Sequence, residues 1–105
     1  MTNPKLRRLV IERDGLTCQY CGRRVHVGGD NNHGRDSLVI DHIQDREDAP
    51  HNLCVSCRSC NSSKGARSAS RWLADITDWL NQVDRVLDFR KRLIRIIVRT
   101  RADHA

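Results

Sequence analysis

Asp41 and His42 stand side by side, and Asn52, a Cys57-x2-Cys60 pair and Asn61 follow them. A second C-x2-C pair, Cys18 and Cys21, lies upstream. Two cysteines three apart on a tight turn aim both sulfurs at one ion, so two such pairs form a four-thiolate zinc site. A site of this kind is closed, and its zinc holds structure without doing chemistry. Chemistry is left to the carboxylate, the imidazole and the amide. Carboxylate and amide oxygens are hard ligands that suit Mg²⁺ or Mn²⁺. A neutral imidazole beside such an ion takes a proton from an attacking water. The set points to metal-assisted hydrolysis, against the plainer reading of Asp41-His42 as a satisfied core pair. A fifth cysteine, Cys54, is also three residues from Cys57. As a strand residue it would point inward like a small hydrophobe, so Cys57 and Cys60 are taken as the ligands.

These residues need elements to position them. Leu38-Val39-Ile40 is a short β-favouring run that delivers Asp41 and His42 at a strand end. Gln44 to His51 is a polar turn, and Asn52 to Val55 reads as the returning strand of a hairpin. After Cys57 the spacing becomes helical, with Cys60-Asn61 at the helix start and Lys64 about one turn on. Upstream, Asn3-Pro4 starts a helix and Asp14-Gly15 stops it, with Leu6, Leu9 and Val10 on one face. Val25 to Ser37 is a Gly-rich polar loop whose His26 and His33 are read as solvated.

From Ala66 onward there is no Gly or Pro, which permits one long helix over residues 68 to 101. Leu73, Ile76, Leu80, Val83, Leu87, Ile94 and Ile97 follow a seven-residue pattern, widened by Trp72, Trp79, Val86 and Leu93. That stripe must be buried. Either the helix breaks near Asp88 to Arg90 and packs on its own chain, or two chains pair through it. The seven-residue repeat favours a homodimer.

The chain has 105 residues and only four aromatics: Tyr20, Trp72, Trp79 and Phe89. It reads as one domain with an appendage, residues 1–66 and 67–105. So small a core is marginal without a structural metal. A net charge of +6 favours a polyanionic partner. The lack of a long apolar run excludes a membrane span. With no signal-peptide core near the start, the cysteines suggest metal binding in a reducing cytoplasm. A zinc deaminase is excluded, because no His is followed two residues later by Glu.

Asp41-His42-Ile43, Asn52-Leu53 and Cys57-x2-Cys60-Asn61-x2-Lys64-Gly65, behind Cys18-x2-Cys21-Gly22, resemble the HNH endonucleases of ββα-metal fold. The likeness is to the four-cysteine branch whose last motif residue is Asn. It covers about residues 4 to 66 and is typical of small bacterial and phage members. It implies an α+β fold: a small zinc-stapled ββα-metal nuclease module with an N-terminal helix and a long C-terminal helix. By position it makes His42 the general base and Asp41 and Asn61 the ligands of a catalytic divalent ion. That ion would be Mg²⁺, Mn²⁺ or another transition metal, alongside structural zinc. Asn52 would brace the hairpin loop and orient His42. The partner implied is double-stranded DNA, with Lys64, Arg58, Arg67 and Arg71 as candidate phosphate contacts. The sequence does not decide whether the role is phage packaging, with packaging partners, or restriction or mobility. A non-catalytic zinc-stabilised DNA-binding module is the alternative. The turn QDREDAPH is shorter and more acidic than in many members, and Asn61 stands where others have His.

Overall fold

The computed structural model describes residues 3–27, 34–80 and 87–104. Its elements are helix α1 (Pro4–Asp14), strands β1 (Leu38–His42) and β2 (Leu53–Cys57), and helices α2 (Arg58–Lys64), α3 (Ala69–Leu80) and α4 (Leu87–His104). Short 3₁₀ turns cover Gly34–Asp36 and Pro50–Asn52. The order β1-β2-α2 is the ββα unit of an α+β fold. The two strands pair antiparallel, with Asp41 opposite Cys54 and His42 opposite Leu53. Every residue of β2 is buried, because α1 and α2 both pack against it. Val83, Val86 and His33 lie outside the described residues.

α1 begins where the sequence places it. The Asn3 side chain accepts a hydrogen bond from the Leu6 amide at 2.8 Å, and Pro4 opens the first turn. Gly15 ends the helix in the left-handed region, φ 70°, its amide donating to Ile11 at 2.7 Å. Leu6 and Val10 are buried, but Leu9 is 49% exposed and does not join their face. At 3.6 residues per turn Leu9 lies about 100° from Val10, and contact with β2 covers only the Val10 side.

The expected single helix over 68 to 101 is replaced by two that pack on each other. α4 runs unbroken through Asp88 to Arg90, where the alternative of a helix packing on its own chain placed its break. The physical reason is length. One straight helix would span about 50 Å, far beyond what this module can cover. Folding back lets α4 bury Leu93, Ile96, Ile97 and Thr100, one face at three- and four-residue steps. Ile94, expected in the stripe, is 41% exposed, as its position between Leu93 and Ile96 requires. Leu93 and Ile97 thus find cover within their own chain, where sequence analysis looked to a second copy.

This packing has a measurable consequence. Leu93→Ala should lower unfolding stability by about 2–5 kcal/mol in urea titration, whereas Ile94→Ala should change it by about 0.5 kcal/mol or less. Equal losses at the two positions would contradict the packing of α4.

Candidate functional site

Cys18 and Cys21 sit on the knuckle after α1, and Cys57 and Cys60 sit at the end of β2 and in α2. Their four sulfurs lie within 4.8 Å of one another, with Cys21 and Cys57 at 3.8 Å. A tetrahedral ion with bonds of about 2.3 Å requires sulfurs about 3.8 Å apart, so the cluster fits a metal such as zinc. Hydrogen bonds from Cys21, Cys57 and Cys60 push the Cys18 thiol far down, while the bond with Cys18 pushes the Cys60 thiol far up. A central divalent cation would stabilise all four thiolates together. Cys54 is fully buried elsewhere. Burial and the nearby Asp41 push its thiol well up, so it stays a neutral packing residue.

Asp41 is 5% exposed, and three side chains meet its carboxylate. The Tyr20 hydroxyl donates to Oδ2 at 2.5 Å. The Lys64 ammonium lies 3.2 Å from the same oxygen and also donates to the His42 carbonyl at 2.7 Å. The Asn61 amide donates to Oδ1 at 2.9 Å. Burial first, and the charge of the neighbouring Asp41 carboxylate, pushes the Tyr20 phenol well above its usual value, so it remains a donor. Tyr20 is held in turn by Trp72 of α3, edge to face with ring centroids 5.3 Å apart. The start of α3 is fixed by the Ala69 amide on the Ile43 carbonyl at 2.7 Å, and by reciprocal bonds between Gln44 and Ser70.

Sequence analysis missed Tyr20. The available signal was a tyrosine between two cysteines, where a solvated residue would suffice.

His42 is half-buried and its Nε2 pairs with Asp48 Oδ1 at 2.6 Å. Asn52 makes no hydrogen bond to the imidazole among the described residues. Its side chain accepts from the Gln44 amide at 3.0 Å and donates to the carbonyls of Asp45 and Glu47 at 3.0 and 2.9 Å. It therefore holds the turn that carries Asp48. The residue in contact with the His42 ring is Asp48, which sequence analysis did not single out.

Asp41, His42, Asp48, Asn61, Lys64 and Arg67 line one open groove of about 530 Å³. Lys64, expected as a surface phosphate contact, is only 2% exposed and lies beneath Asp41. A buried carboxylate draws the nearest cation inward. Arg67 lines the groove and pairs with Asp75 at 2.9 Å. Arg71 also pairs with Asp75, from an exposed position away from the groove lining. Arg58 is exposed at the start of α2, beside Arg35, at a separate shallow depression. Arg46 is a further exposed cation on the groove.

The HNH endonuclease family model matches residues 18–67, which contain all four clustered cysteines and the whole groove. Residues 18–67 are an HNH endonuclease domain with a four-cysteine cluster positioned to bind a metal. A domain of this family points to a nuclease or DNA-binding function, with DNA as the substrate. Comparison with curated proteins and with solved structures gave no match. No helix among the described residues is long and apolar enough to cross a membrane.

The ligand assignment is checked by metal analysis. Purified protein should carry one zinc per chain, which Cys57→Ser loses and Cys54→Ser keeps. Retention of zinc by Cys57→Ser at the wild-type level would overturn it.

Proposed function

We propose that this chain is a metal-dependent DNA endonuclease that hydrolyses phosphodiester bonds in double-stranded DNA. The observation that carries the reading is the meeting of Asp41 and Asn61 at 2.9 Å in a groove that also holds His42. Asp41 and the Asn61 side-chain oxygen would hold the catalytic divalent ion, Mg²⁺ or Mn²⁺, as hard oxygen donors. That Asn61 oxygen has no hydrogen bond among the described residues, so it is free for this task. When bound, such an ion neutralises charge on the scissile phosphate and on the departing oxygen.

His42 is the general base. Its Nε2 is engaged by Asp48, which leaves Nδ1 to accept the proton of the attacking water. The water oxygen bonds to phosphorus as His42 takes its proton, the bond from phosphorus to the 3′ oxygen breaks, that oxygen takes up a proton from solvent, and the products carry a 5′-phosphate and a 3′-hydroxyl. Asn52 acts at one remove, by fixing the turn that presents Asp48. Arg67 and Arg46, on the groove, and Arg58 and Arg71, outside its lining, are the candidate phosphate contacts. Zinc at the four cysteines is structural. Residues 1–66 form the nuclease module and 67–105 its helical extension.

A plasmid nicking assay tests the reading. His42→Ala should keep its fold and zinc while losing Mg²⁺- or Mn²⁺-dependent nicking by about 10²-fold or more. Cleavage by His42→Ala at the wild-type rate would end the assignment. Tight DNA binding by the wild type with no metal-dependent nicking would make the chain a non-catalytic, zinc-stabilised binding module.

A further inference from the structure

α4 lies outside the matched residues and carries Arg90, Lys91, Arg92, Arg95, Arg99 and Arg101, with no acidic residue between 90 and 101. Arg92, Arg95 and Arg99 recur at three- and four-residue steps and share one face. That face closes over the cysteine knuckle. Arg92, Arg95 and Arg99 wall one side of a cavity of about 50 Å³, and Thr17, Cys18 and Gln19 wall the other. The Arg92 guanidinium lies so close to Gly22 that a Cβ there would come within 2.7 Å of it. Gly22 has φ 81°, so glycine is needed both for the turn and for the approach of the helix.

Arg99 is the anomaly. Its Nη1 is 3.6 Å from Asp14, its only ion-pair partner among the described residues. Asp14 is already occupied, accepting from Arg13 Nε at 2.8 Å and from the Val55 amide at 3.0 Å. The Arg99 Nε and Nη2 atoms are buried with no hydrogen-bond partner among the described residues. Buried guanidinium nitrogens call for an acceptor, and native structures nearly always supply one. The cavity, about 50 Å³, is larger than the share of one water in the liquid, about 30 Å³. Phosphate is the anion whose oxygens match the guanidinium fork.

We propose that Arg92, Arg95 and Arg99, with Thr17 to Gln19, bind a backbone phosphate of the DNA, a second hold outside the nuclease groove. This rests on the reading of DNA as the substrate. A backbone phosphate is favoured over a free anion by two features. The exposed Lys91, next to Arg95 around the helix, extends the basic face beyond the cavity. The knuckle also links cavity and groove directly, since Gln19 lines the first and the next residue, Tyr20, bonds to Asp41 in the second.

The test is duplex binding by fluorescence anisotropy across a NaCl series, with His42→Ala as the parent so that nothing is cleaved. Arg95→Gln should weaken binding and lower the slope of log K against log salt by about one. Lys91→Gln, on the same helix but off the cavity, should lower it less. Zinc content and helical signal should stay at the parental level in both. A parental slope in Arg95→Gln, or an equal fall in Lys91→Gln, would overturn the site while leaving DNA as the substrate. Loss of zinc from Arg95→Gln would reassign the arginines to the thiolate cluster and overturn it as well. A parent that binds no duplex even at low salt would remove the nuclease reading together with the proposal.

Discussion

The structure depends on how a buried carboxylate is held. Asp41 is removed from water, and an uncompensated charge there would cost several kcal/mol, roughly 3–5 when one partner of a buried pair is lost. Its compensation comes from two directions. Tyr20 reaches it from the cysteine knuckle, while Lys64 and Asn61 reach it from α2. The carboxylate itself stands on β1. One side chain thus ties the knuckle, the sheet and the helix, and the same side chain is the proposed ligand of the catalytic ion.

The cysteine cluster and the C-terminal helices serve that arrangement from outside. A metal at the four cysteines would fix the knuckle against the end of β2 and α2, which sets where Tyr20 can point. Trp72 closes the other side of Tyr20, and α3 is hooked to the strand end through Ala69 and Ser70. α4 then covers what so few aromatics cannot, burying Leu93, Ile96 and Ile97 in the same core as the cysteines. The tail is part of the packing that positions the site, although its sequence lies outside the matched domain.

Much of this was legible in the sequence because it depends on short spacings. The two C-x2-C pairs identified the cluster, and strand alternation set Cys54 apart from it. The β-favouring run and the polar turn gave the hairpin that carries Asp41 and His42. What escaped depends on contacts between distant residues. Nothing local says that Tyr20 and Lys64 converge on Asp41, or that Asp48 rather than Asn52 meets the imidazole. The tail was misjudged for a related reason. A segment free of Gly and Pro reads as one helix, and only the limited surface of the module forces it to fold back. By position alone the arginines of α4 suit the negative end of a helix dipole, and only their closure over the knuckle gives three of them a shared cavity.

The central claim is that Asp41, held through the knuckle, forms the catalytic metal site. Mn²⁺ titration of zinc-loaded protein, followed by electron paramagnetic resonance, tests it without any DNA present. The account predicts one Mn²⁺ bound per wild-type chain and none in Asp41→Asn. It also predicts binding weakened about 10- to 100-fold in Tyr20→Phe, the usual effect of removing a hydrogen-bond partner from a metal ligand, with zinc retained in each variant. Equal Mn²⁺ affinity in wild type and Asp41→Asn would contradict it.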